Sequence, residues 1–145
     1  MPTIINYDQA SVYNGYMLKT EKHNIVGAPV LIQIFDICSL QRFPVILEPY
    51  FKYANRYAFE FLDIDEGMEG FEECRIQDDQ AIAIVRALKT AKEKDQNVFV
   101  HCFAGVARSG AVVEYAVSIG FDDPNVYRHP NEYVLETLQR VESMV

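Results

Sequence analysis

Residues 97–117, "NVFVHCFAGVARSGAVVEYAV", decide how the rest of the chain is read. Val98, Phe99 and Val100 form a short apolar, β-branched run typical of a buried strand. The run ends in His101 and Cys102, and five residues without an acid or a large polar group follow: Phe103, Ala104, Gly105, Val106 and Ala107. Arg108 and Ser109 stand where a helical pattern begins, in "SGAVVEYAVSI", which Gly120 closes. The stretch is therefore a strand, a tight loop and a helix. A core cysteine needs no such arrangement, although most single cysteines are small core hydrophobes.

The chemistry of the loop gives Cys102 another use. A free thiol has a pKa near 8.5, and a helix N-terminus with its amide donors lowers it to about 3.5–7.5. Gly105 can take a positive φ, which lets successive N–H groups turn inward as an anion nest. Arg108 offers a planar fork that matches two oxygens of one phosphoryl group. Ser109 brings a hydroxyl within reach of the sulfur. A nucleophile inside an anion cradle is an arrangement for phosphoryl transfer.

Outward from this stretch, strands and helices alternate. "TIIN" reads as a short strand, and "DQASVYNGYMLK" as either an amphipathic helix or a hairpin around Asn14-Gly15. "PVLIQIFDI" is a buried strand, and "RYAFEFLDI" a second one in which Tyr57, Phe59 and Phe61 alternate with Arg56, Ala58 and Glu60. An acidic loop follows, "DIDEGMEGFEE". The segment "DDQAIAIVRALKTAKEK" is a helix with acids first and lysines last, as the helix dipole favours. "PNEYVLETLQRVESM" is a further helix, with Asn131 as its N-cap. The expected fold is α/β: a three-layer α/β/α sandwich around a central, mainly parallel sheet, in one domain over residues 1–145. In such sheets, sites lie beyond the carboxyl ends of the strands, which is where Cys102 falls.

Composition narrows the function classes. The chain has 145 residues, half of them apolar, and a net charge of −8 with scattered basic residues. Nucleic acid and anionic membranes both call for a concentrated positive face, so neither is an expected partner. No window approaches the roughly 20 apolar residues of a membrane span. "MPTIINYDQA" lacks the features of a secretion signal, and the expected location is the cytoplasm. The three cysteines, Cys38, Cys74 and Cys102, have unrelated spacings and no CxxC pair, so neither a disulfide framework nor a zinc site is expected. No metal or cofactor is expected. The sequence does not speak to the oligomeric state.

"HCFAGVARSG" matches HCxxGxxRS and thereby resembles the CX5R signature of the protein tyrosine phosphatase superfamily, most closely its dual-specificity branch. Low-molecular-weight phosphatases and arsenate reductases carry the loop near the N-terminus, and rhodanese-like phosphatases usually have an acid after the cysteine. Here the loop comes late and position 103 is Phe. The resemblance implies metal-independent hydrolysis of phosphate monoesters through a phosphocysteine intermediate. It implies Cys102 as nucleophile, residues 103–108 as the phosphate-binding loop, Ser109 beside the sulfur, and His101 orienting the loop without transferring a proton.

The resemblance also implies an aspartate on a separate upstream loop that protonates the leaving oxygen and then activates water. In "FLDIDEG" this is Asp63, with Asp65 as the alternative acid and Glu66 behind both. The implied substrate is a phosphoprotein or phosphopeptide carrying phosphotyrosine, with phosphoserine and phosphothreonine as further candidates. Phosphate, sulfate or vanadate is expected to fit the loop. The alternatives are a phospho-residue-binding pseudophosphatase without turnover and a phosphatase for RNA 5′-phosphates or phosphoinositides. "FAGVA" lacks the loop lysines common in phosphoinositide phosphatases. Cys102 is expected to oxidise reversibly, and neither Cys38 nor Cys74 is singled out as its partner.

Overall fold

The computed structural model describes residues 2–9, 29–36, 55–64, 70 and 72–145. The Asn14-Gly15 segment, Cys38, Asp65 and Glu66 lie outside the described residues. Four strands make one sheet: β1 (Ile4–Asp8), β2 (Val30–Phe35), β3 (Asn55–Glu60) and β4 (Val98–Cys102). Their order is β1-β4-β2-β3, and every neighbouring pair is parallel. The fold is α/β, as the alternation of elements in the sequence requires.

The described residues also form three α-helices, α1 (Asp78–Glu93), α2 (Arg108–Ser118) and α3 (Glu132–Val141), and two short 3-10 turns, Glu72–Cys74 and Glu142–Met144. Asp78 and Asp79 start α1 and Lys92 lies in its last turn, so its charges oppose the helix dipole. The backbone N–H of Gln77 donates to Gln80 Oε1 at 2.9 Å, closing the helix start. Gln80 Nε2 also donates to the Glu60 carbonyl at 3.1 Å, which fixes α1 to the end of β3. Gly120, with φ +114°, ends α2 where a side chain would be strained. Asn131 caps α3, its side chain accepting from Val134 N at 3.0 Å.

The core lies between one face of the sheet and these helices. Ile4, Val30, Ile32, Ile34, Val98 and Val100 meet Ile84, Val85, Leu88, Val112, Val113, Val134 and Leu138 in a single buried cluster. The opposite face is buried too, at Leu31, Gln33, Phe35, Phe99 and His101. Burial on both faces is why β2 and β4 read as continuous apolar runs. β3 departs from the alternation expected of it. It pairs only with β2 among the described strands, Asn55 to Ala58 are exposed, and Phe61 is buried just past its end.

Because all four strands are parallel, their carboxyl ends share one edge of the sheet. Register brings Asp8 beside Cys102 and Phe35 beside Glu60. The residues that follow, Gln9, Asp36, Phe61 to Ile64 and Phe103 onward, therefore emerge together. The fold concentrates them there before any side-chain chemistry is considered.

His101 is fully buried in β4. Its Nε2 lies 3.2 Å from Gln33 Nε2, and its ring meets Phe35 edge-on at 5.3 Å. With the Gln33 amide donating, Nε2 accepts and the ring proton sits on Nδ1. Burial, reinforced by the charge of Arg108 and only partly opposed by the Cys102 backbone and Asp8, lowers its pKa to about 4. The unfolded chain would titrate it near 6.5, so the unfolded state binds more protons between the two values. His101 thus contributes stability that is complete above about pH 6.5 and is lost as pH falls towards 4, on the order of 3 kcal/mol. Urea denaturation of wild type and His101→Gln across this window should give a stability difference that narrows or reverses on acidification. A constant difference would show that the buried imidazole is not the source.

Candidate active site

The loop between β4 and α2 is held by its carbonyls. Phe103 O accepts from Gln9 N at 3.1 Å, Val106 O from His129 N at 3.1 Å, and Ala107 O from Asn131 N at 3.0 Å and Ala111 N at 2.9 Å. Gly105 O accepts from Asn6 Nδ2 at 2.7 Å. With these oxygens turned out to the scaffold, the backbone amides of Gly105 and Ser109 face the Cys102 sulfur. Gly105 has φ +73°, as expected of a nest. A Cβ on it would lie 2.8–2.9 Å from the backbone of Tyr7 and Asp8, so even an alanine would collide with β1.

Cys102 ends β4 with 2 % of its surface exposed, and its sulfur lies 3.1 Å from Ser109 Oγ. Burial alone raises the thiol pKa. The Ser109 hydroxyl, the backbone amides of Ser109 and Gly105, and the Arg108 charge together outweigh burial and hold the pKa below its ordinary value. The sulfur is therefore buried in surroundings that favour the thiolate, a form to which the Ser109 hydroxyl can only donate.

Arg108 is turned inward and only 5 % exposed. Its Nη1 donates to Asp36 Oδ1 and to the Phe61 carbonyl, both at 2.8 Å. Sequence reasoning expected the guanidinium to face an anion and foresaw neither of these partners. Asp36 directly follows β2, and Phe61 directly follows the strand paired with it. Parallel pairing of those strands was the signal that could have found them. Asn6, which holds Gly105, was missed for a similar reason: it reaches the loop from β1, 99 residues away in sequence.

Of the two aspartates proposed as the acid, Asp63 is described. It is exposed, follows β3 on the same sheet edge, and its Oδ1 accepts from Asn131 Nδ2 at 2.6 Å. Leu62 N donates to Cys74 O at 2.7 Å, which anchors the segment before it. The structure thus gathers Cys102, Arg108, Ser109 and the loop amides into one cradle, and links Asp63 to it through Asn131. Cys74 is a free, partly buried thiol.

No protein-family model matches the chain, and no curated protein matches it by sequence. Solved structures do match its fold. The human tyrosine phosphatase-like serine/threonine/tyrosine-interacting protein aligns with a TM-score of 0.61 at 16 % identity, covering 99 % of this chain and 93 % of that one. Tk-PTP in its active form gives 0.56 at 13 % identity, covering 98 % and 91 %. PTPMT1 gives 0.56 at 18 % identity, covering 98 % and 90 %. The chain has the fold of dual-specificity and tyrosine phosphatase-like structures over nearly its whole length.

The Cys102 thiol should titrate below a free cysteine when followed by thiolate ultraviolet absorbance. Ser109→Ala should move that titration upward, because it removes the leading hydrogen bond to the sulfur. An unchanged midpoint would mean that the hydroxyl does not stabilise the thiolate.

Proposed function

We propose that this protein is a metal-independent phosphatase that cleaves phosphate monoesters through a phosphocysteine intermediate. One observation carries the reading. The carbonyls of Phe103, Gly105, Val106 and Ala107 are tied outward around a buried, acidified thiol, while Arg108 is held inward beside it. That is a nucleophile within a preorganised oxyanion site, and electrostatic preorganisation of this kind often lowers a reaction barrier more than any other single effect.

The reaction follows from the positions. The Cys102 thiolate attacks phosphorus, forming the S–P bond as the P–O bond to the leaving group breaks. Loop amides and Arg108 bear the charge on the three remaining oxygens. Asp63 gives its proton to the leaving oxygen, and Asp65 is the alternative donor. Water then attacks the phosphocysteine, returning a proton to the aspartate and releasing inorganic phosphate and the thiolate. Ser109 stabilises the sulfur as it leaves.

The substrate class we favour is phosphoprotein, with phosphotyrosine foremost. Phe103 follows the nucleophile directly and is 64 % exposed, offering an apolar surface to an aryl leaving group. Likeness of fold to PTPMT1, also solved in complex with PI(5)P, keeps phosphoinositide hydrolysis in view. The loop residues 103–107 contain no lysine to meet a second phosphate.

Hydrolysis of p-nitrophenyl phosphate in the presence of a chelator tests this reading. Wild type should turn over, and Cys102→Ser should be inactive. Asp63→Ala should lower kcat for a poor leaving group by about 10²-fold or more, the usual scale of a general acid. If Asp65→Ala shows that loss instead, the acid is Asp65. Tight binding of a phosphotyrosine peptide by wild type, with no turnover of any phosphate ester, would identify a capture module and overturn the enzyme.

A further inference from the structure

The cap of α3 does more than start a helix. Asn131 is 5 % exposed, and every polar group it has is engaged. Its side-chain oxygen accepts from Val134 N at 3.0 Å, and its backbone oxygen accepts from Leu135 N at 3.0 Å. Its backbone N–H donates to Ala107 O at 3.0 Å, at the end of the nucleophile loop. Its Nδ2 donates to Asp63 Oδ1 at 2.6 Å and to Ile64 O at 3.3 Å. An amide nitrogen has two hydrogens, so both bonds can be made together. One buried residue thus holds the loop of Cys102 and Arg108 with its backbone and the segment of Asp63 with its side chain.

We infer that Asn131 is a positioning residue for the acid step, setting where Asp63 stands relative to the phosphate loop and which of its oxygens carries the proton. This rests on the phosphatase reading above. A protonated carboxyl oxygen is a weaker acceptor than the carbonyl oxygen, so the amide N–H on Oδ1 at 2.6 Å favours the acid form with its proton on Oδ2. The acid then delivers its proton from one fixed oxygen. In the first step the Oδ2 proton moves to the leaving oxygen as the P–O bond breaks and the S–P bond forms. In the second, Oδ2 takes a proton from the attacking water. Without the tether, Asp63 is an exposed side chain on an irregular segment, free to rotate away from the leaving group. Small misplacements of a catalytic group carry large rate penalties.

Asn131→Asp separates this role from capping. Aspartate is as good an N-cap as asparagine, and the backbone bond to Ala107 is retained. Both donor hydrogens are lost, and a carboxylate faces Asp63 instead. The measurement is kcat and KM for aryl phosphates of graded leaving-group ability, for wild type, Asn131→Asp, Asp63→Ala and the double variant, with thermal melting of each. Asn131→Ser serves as a second donor-deficient variant that keeps a cap without the added charge.

Asn131→Asp and Asn131→Ser should lower kcat about tenfold or more for phenyl phosphate and about threefold or less for a dinitrophenyl ester, where protonation matters little. KM and the alkylation rate of Cys102 should stay near wild type. In the Asp63→Ala background the substitution should have no further effect, since residues acting as a unit are not additive. Equal losses for all leaving groups, no loss for any, or a full effect persisting without Asp63 would each overturn the inference while leaving the phosphatase reading intact. Absence of Cys102-dependent hydrolysis in wild type would instead remove the reading and the inference together.

Discussion

The site depends on which way the backbone of residues 103–107 faces. A peptide loop presents donors on one side only if its acceptors are satisfied on the other, and a buried carbonyl without a partner is costly. Here the acceptors are met by four separate parts of the chain: β1 through Asn6, its carboxyl end through Gln9, α2 through Ala111, and the approach to α3 through His129 and Asn131. Gly105 makes the closest approach, with no room for a Cβ against the backbone of β1. The loop is thus shaped by the whole sheet edge and is held in place before any anion meets it.

Two opposed effects act on Cys102. Burial disfavours its charge, while the Ser109 hydroxyl, two amides and the guanidinium favour it, and the latter group prevails. The same contest runs the other way at the neighbouring residue. His101 has little to compensate its burial, so it stays neutral behind Cys102. At adjacent positions in one strand the negative charge of the thiolate is thus favoured and the positive charge of the imidazolium disfavoured. They point to opposite faces, one towards the donors of α2 and the other towards Gln33 and Phe35. Arg108, steadied by Asp36 and the Phe61 carbonyl, ties the ends of β2 and β3 into the same assembly.

Much of this was legible in residues 97–117 because the determinants are local. An apolar run, a glycine able to take positive φ, and a helix start with arginine and serine lie within a few residues of one another. The helices were equally legible from their charge order and caps, down to Asn131. What escaped is what the sheet brings together from afar. The contacts of Asn6, Gln9 and Asp36, and those of Asn131 with Asp63 and Ala107, depend on tertiary placement, which periodicity does not report. The exposure of β3 escaped for the same reason: its place at the end of the described strands is a property of the sheet, and the alternation of Tyr57, Phe59 and Phe61 carried no sign of it.

The most direct test of the central claim is the rate at which iodoacetate alkylates Cys102 near neutral pH, followed by mass spectrometry with and without inorganic phosphate. A thiolate within an anion cradle should be alkylated faster than Cys74 despite its burial, and phosphate should protect it in a saturable way that Arg108→Lys weakens. Slow alkylation of Cys102, or a rate indifferent to phosphate, would mean that the sulfur is an ordinary core thiol and that the loop binds no anion beside it.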